Sequence, residues 1–220
     1  MRLLSINVGG PREVVAQRKI VRTSIFKDPV SGPVRVGKLN LEGDAQSDLS
    51  VHGGVDKAVY AYPSEHYPYW REQLPDAELP WGAFGENLTT EGLNEKTVRI
   101  GDRLNVGSAA FVVRQPRLPC FKLGIRFGRE DMVRRFLKSG RTGFYLAVIQ
   151  EGEIAAGDAI EWFPTNDPSI TVSDVARLYT DEHPEPKLLR QASELAALSE
   201  GWREHFRDRL SESASRFEPA

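Results

Sequence analysis

A mainly β (α+β) fold is expected for this chain of 220 residues: a β-barrel-like domain over 1–164, a linker over 165–170, and a small three-helix segment over 171–220. Three observations predict it. Short alternating apolar runs recur through the first three quarters, separated by turn residues. The regular strand–helix alternation that builds a doubly wound sheet is missing. After the polar, proline-containing stretch Pro164-Thr165-Asn166-Asp167-Pro168-Ser169, the apolar spacing becomes that of helices.

Leu4, Ile6 and Val8 alternate at the start, and Val34 and Val36 follow the turn signals Asp28-Pro29 and Gly32-Pro33. Further strands are expected at Ala58–Tyr62, Thr97–Ile100, Ala109–Gln115, Phe144–Ile149 and Ala159–Phe163. Gly101-Asp102, Glu151-Gly152 and Gly157-Asp158 supply turns. Two helices interrupt the strands. One begins near Ser64 and carries Tyr67 and Trp70; the other covers about 130–138, with Met132, Val133, Phe136 and Leu137 as its apolar face. Closing many short strands into a barrel hides edges that would otherwise pair with other chains.

In the tail, Thr171-Val172-Ser173-Asp174 has the form of a capping box. Leu188, Ala192, Leu195 and Leu198 trace a second helical face, and Trp202, His205, Phe206, Arg209 and Leu210 a third. Three short helices bury little surface alone, so the tail is expected to pack on the barrel, on a second copy or on another protein. Trp202 and Phe206, read as exposed, make a homodimer one expectation.

Hydrophobic residues at 40% suffice for a sizeable core, while a charged fraction of 27% and a formal net charge of −2 give no global pull toward nucleic acid or an anionic membrane. No apolar run approaches a membrane span. The first ten residues are too polar for a signal peptide, and with a single cysteine they point to a reducing cytoplasm. One cysteine also cannot supply a four-cysteine iron–sulfur cluster, so electrons for any redox work come from outside.

That cysteine, Cys120, closes the stretch Gln115-Pro116-Arg117-Leu118-Pro119-Cys120. Prolines stiffen the approach. Arg117 and Lys122 flank the thiol with positive charge, which favours the thiolate that binds soft metals or attacks sulfur. An inert buried cysteine is the ordinary alternative. Arg114 joins Arg117 and Lys122 in a basic cluster suited to phosphate, or forms a solvated rim. Val51-His52-Gly53-Gly54-Val55-Asp56-Lys57 puts a polar ring beside backbone that a ligand can approach closely; taken alone, the segment reads first as a glycine turn with a solvated histidine. Gly82-Ala83-Phe84-Gly85-Glu86-Asn87 offers the Asn87 amide to a heterocycle edge or to a tight loop. The four histidines show no pair at zinc-ligand spacing, and neither phosphate-loop nor dinucleotide fingerprints occur.

Taken in order, these segments resemble the MOSC (molybdenum cofactor sulfurase C-terminal) domain. The likeness is carried by Gly43-Asp44-Ala45-Gln46-Ser47-Asp48, Val51 to Tyr60, Gly82 to Thr89, Ile100-Gly101-Asp102, Gln115 to Cys120, and Arg141-Thr142-Gly143-Phe144-Tyr145. With its helical tail the chain is most similar to the subgroup associated with hydroxylaminopurine resistance. The resemblance implies a pocket for molybdenum cofactor, with Cys120 as the metal ligand and catalytic residue, and His52, Gly53, Gly54, Asn87, Arg114, Arg117 and Lys122 as cofactor-binding candidates. It implies reduction of small N-hydroxylated substrates to amine and water, with electrons from an external donor protein. A Cys120 persulfide acting as sulfur carrier, or a cofactor-storage protein, fits the same residues.

Overall fold

Residues 1–16, 18–46, 53–165 and 170–215 are described by the computed structural model. The strands, in chain order, are β1 (Arg2–Val8), β2 (Arg12–Ala16), β3 (Lys19–Thr23), β4 (Asp28–Val30), β5 (Val34–Val36), β6 (Val59–Pro63), β7 (Leu88–Glu91), β8 (Arg103–Val106), β9 (Ala109–Pro116), β10 (Phe144–Gln150), β11 (Gly152–Ile154) and β12 (Ile160–Phe163). The helices are α1 (Tyr67–Gln73), α2 (Phe121–Phe127), α3 (Met132–Ser139), α4 (Val172–Thr180), α5 (Pro186–Glu194) and α6 (Glu200–Ser215).

Eight strands form one sheet in the order β12-β8-β9-β10-β6-β7-β1-β4. The chain around β12 also bonds to the start of β1: Leu3 N–H donates to Asp158 O at 2.9 Å, Gly157 N–H to Leu3 O at 2.7 Å, and Ile160 N–H to Met1 O at 3.1 Å. These bonds close the sheet into a barrel and remove two edges. Neighbours in this sheet are antiparallel except β6 and β7. A parallel pair cannot be joined by a tight hairpin, and the long connection between them holds α1. Strands β5 and β11 pair separately, as do β2 and β3, which form a hairpin.

The sequence expectation and the structure part at three places. The alternation of Leu4, Ile6 and Val8 does not set one buried face, because a bulge against β7 shifts the register between Leu3 and Ser5. Leu3 and Ile6 are the residues sealed in the core. Asp28-Pro29 is not a turn but part of β4, at the free end of the sheet order, where a missing amide costs no ladder bond. Thr97–Ile100 is not a sheet strand. Its amide and carbonyl groups meet the start of the tail instead, with Ile100 N–H on Ile170 O at 3.0 Å and Val172 N–H on Val98 O at 3.0 Å.

Those bonds tie the tail to the barrel, and packing completes the union. Val172, Val175, Leu178, Leu189, Ala192, Leu198, Trp202 and Phe206 share one buried cluster with barrel residues such as Leu3, Val113 and Leu146. Trp202 and Phe206 are therefore buried, which removes the exposed aromatic face on which a homodimer was expected. Thr171 and Asp174 form the anticipated capping box at the start of α4. A second cluster, rich in aromatics, joins Tyr60, Tyr62, Tyr67, Trp70, Phe84 and Phe136 beneath α1, α2 and α3. Gly143 shows how tight the junction is: a Cβ there would stand 2.5 Å from Ala61 O.

Candidate functional site

Strand β9 ends at Pro116, and the irregular run Arg117–Cys120 turns the chain into α2. The Cys120 carbonyl accepts from Leu123 N–H at 2.9 Å to start the helix, while its half-buried thiol makes no capping bond. The thiol is thus unclaimed by the local fold. It lines a cleft of about 100 Å³ together with Arg117, Lys122, Lys27, Lys57 and Asp44. Four cations and one carboxylate give this cleft the positive potential that the whole chain lacks.

Arg117 is buried, with its guanidinium 5.0 Å from the centroid of Tyr60 and 5.2 Å from that of Phe136. Tyr60 is itself fixed, its hydroxyl donating to Thr142 O at 2.7 Å. Burial acts to lower the Arg117 pKa, but Tyr60, Tyr145 and Cys120 act the other way, and the balance lies above the ordinary guanidinium value. Among the described residues, Nη1 of Arg117 is buried without a hydrogen-bond partner. A buried donor without an acceptor is costly.

Lys27 lies deeper in the wall, ion-paired with Asp44, and both are almost fully buried. Desolvation lowers the lysine's pKa, although Asp44 opposes the shift. Asp44 also accepts from Gly9 N–H at 2.9 Å and from Asn87 Nδ2 at 2.8 Å.

Of the residues predicted from sequence, Cys120, Arg117, Lys122 and Asn87 line the cleft. Asn87 is occupied internally: besides Asp44 and Asn7 O as acceptors, its Oδ1 accepts from Tyr60 N–H at 3.0 Å. It fastens β1, β6 and β7 together and leaves no amide edge for a heterocycle. Arg114 donates to Asp56 at 2.7 Å and is not among the cleft residues. Gly53 and Gly54 line a separate depression against the tail, beside Trp202 and His205. His52 lies outside the described residues. Lys27 was missed. It sits in an unremarkable loop, and only the fold brings it to Asp44, seventeen residues on. Lys57 and Asp44 stand inside motifs already noted, yet nothing local singles out their side chains.

A lone thiol thus lines a cationic cleft at the strand–helix corner of a β-barrel. The sequence matches the MOSC domain over residues 48–161 and the YiiM-like, 3-alpha helix domain over residues 170–212. The chain belongs to the MOSC domain family, whose members are associated in general with molybdenum cofactor. It is 43% identical to the uncharacterized protein YflK of Bacillus subtilis, over 94% of this chain and 95% of that one. A relative from Gibberella moniliformis named as a reductase is 34% identical over 80% of this chain, which spans 32% of that longer protein. Among solved structures, YiiM from Geobacillus stearothermophilus superposes with a TM-score of 0.80 at 36% identity, covering 95% of this chain and 98% of the other. Among the described residues, no helix is long and apolar enough to cross a membrane.

Proposed function

We propose that the protein is a molybdenum-cofactor-dependent reductase of N-hydroxylated compounds such as hydroxylaminopurine. One observation carries the reading: Cys120 and the buried Arg117 line the same cleft, among three lysines. A soft sulfur donor beside clustered cations is the donor set for a sulfur-ligated metal on a phosphate-bearing pterin. Cys120 would hold the metal, and Arg117, Lys57 and Lys122 would hold the anionic portion. When bound, the cofactor supplies two-electron reduction of the N–OH bond to amine and water.

The chain's own residues supply position and charge. Arg117, sandwiched against Tyr60 and Phe136, presents its charge without rearranging, so stabilisation is preorganised. Lys27 Nζ has a lowered pKa, which eases release of a proton toward the departing hydroxyl, and Asp44 keeps the ammonium in place. The Gibberella relative named as a reductase supports the oxidoreductase class.

Metal and pterin analysis of gently purified protein tests the proposal. Molybdenum and pterin at one equivalent each, lost together in Cys120→Ala, are the expected result. Cyanide-releasable sulfur with no metal would move Cys120 to a sulfur-carrier role and overturn it.

A further inference from the structure

We propose that the β2–β3 hairpin and helices α2 and α3 form the docking surface for an acidic electron-carrier protein; the inference rests on the reductase reading above. Helix α2 has two working sides. Cys120 and Lys122 line the cleft, whereas Phe121, Gly124 and Ile125 line an apolar groove of about 700 Å³ whose other wall is Ala16, Lys19 and Val21 of the hairpin. A protein seated in that groove is separated from the thiol by about one helix diameter, roughly 10 Å.

The surface is apolar where a partner would sit. Phe121 is 60% exposed beside the apolar groove walls Ala16, Val21, Ile125 and Val133, whereas Val15 and Ile20, paired across the hairpin, lie on its other face. Side chains of this size are seldom left in water in one neighbourhood without a partner. Its rim is basic. Residues 12–23 and 121–139 carry ten Lys and Arg against three Asp and Glu, in a chain whose formal charge is −2. Arg18, Lys19, Arg22, Arg129 and Arg134 are exposed, with Arg129 sharing Asp131 with Arg135. An acidic partner with an apolar centre complements this patch. A two-fold pairing of the chain with itself would set this basic rim against its own copy. Nucleic acid would leave the aliphatic groove walls uncovered and finds a single exposed ring, Phe121, to stack on.

The role balances chemically. Reduction of R–NHOH to R–NH2 and water takes two electrons and two protons; two molecules of a one-electron carrier supply the electrons in turn, and solvent supplies the protons.

The test uses the full-length, cofactor-loaded protein and a plant-type [2Fe–2S] ferredoxin as the acidic probe. Binding is read by calorimetry at low and moderate salt, and turnover of hydroxylaminopurine is read with reduced ferredoxin and, separately, with reduced methyl viologen. Ferredoxin should bind, and weaken as salt rises. Lys19→Glu/Arg129→Glu and, independently, Val21→Ser/Phe121→Ser should each raise Kd at least about tenfold, which is about 1.4 kcal/mol. Viologen-driven turnover should stay unchanged in both. Salt-independent binding, no binding, or equal binding by the variants overturns the proposal. So does a dimer abolished by Val21→Ser/Phe121→Ser, or a single-stranded oligonucleotide that displaces ferredoxin. Absence of viologen-driven turnover in the unaltered protein refutes the reductase reading instead, while the calorimetry still judges the surface.

Discussion

Arg117 stacks its guanidinium on the Tyr60 ring at 5.0 Å, and this contact joins the cationic cleft to the aromatic cluster under the helices. Packing and ligand recognition therefore share one side chain. Replacing Arg117 with Ala removes two cation–π contacts in a desolvated setting and should lower stability by about 1–3 kcal/mol. Molybdenum content should fall far more steeply than stability. Arg117→Lys keeps the charge without the planar fork, and should recover part of the metal content but not the stacking. Metal analysis beside thermal melts separates the two effects; unchanged molybdenum in Arg117→Ala would remove the arginine from the anion site.

Cys120→Ala should leave the fold almost untouched. The thiol is half-buried and makes no capping bond, and the contact that starts α2 comes from the backbone. A stability loss below about 1 kcal/mol is expected, alongside loss of turnover. Retention of full turnover with hydroxylaminopurine would exclude Cys120 as the ligand.

Much of this arrangement was legible in the sequence, and the failures have physical causes. The barrel class, the capping box at Thr171 and the cysteine loop could be read locally, because each depends on neighbours in the chain. Helix α2 escaped notice: it is seven residues long, carries Gly124 and turns its Phe121 outward, so it lacks a clean apolar stripe. Leu4 misled because a bulge reverses facing without marking the sequence. The pairing of Lys27 with Asp44, and of Arg114 with Asp56 rather than with a ligand, arises from long-range contacts that no local spacing records.

The Lys27–Asp44 pair predicts an asymmetry. Asp44→Ala strands a buried ammonium and also orphans Gly9 N–H and one donor of Asn87, so a loss of about 3–5 kcal/mol is expected. Lys27→Met removes the charge that burial disfavours and leaves Asp44 two donors, so the loss should be smaller. Activity should order the variants differently, because Lys27→Met deletes the proposed proton donor while the fold survives. Denaturant melts and pH–rate profiles measure both orders; equal destabilisation by the two substitutions would contradict the network.

Glu86 provides a pH signature. The carboxylate is fully buried and accepts from Gly82 N–H at 2.9 Å, Phe84 N–H at 3.1 Å and the Thr89 hydroxyl at 3.0 Å, with the Tyr67 hydroxyl also against it. Burial raises its pKa even though these bonds pull it down. The folded state therefore holds this proton to higher pH than the unfolded state does. Stability contributed by the group is present below the ordinary carboxylate pKa and is lost as pH rises through the raised one. Glu86→Gln should erase that slope. It should also destabilise by about 1–3 kcal/mol, since an amide carries donors toward groups that already donate. Melts of both proteins across the mildly acidic range decide the matter, and parallel curves would refute the assignment.

The tail tests whether barrel and helices are one cooperative unit. Phe206 is completely buried in the cluster that also holds Leu3 and Val113, so a cavity opened there weakens both parts at once. Phe206→Ala should cost about 3–5 kcal/mol, whereas Thr171→Ala, which removes the cap of α4, should cost about 1 kcal/mol. Each variant should unfold in a single transition followed identically by tryptophan fluorescence, which includes buried Trp70 of the aromatic cluster and Trp202 of α6, and by far-ultraviolet circular dichroism. Two separated transitions in Phe206→Ala, with the barrel melting at its original temperature, would mean that the helices rest on the barrel without sharing its stability.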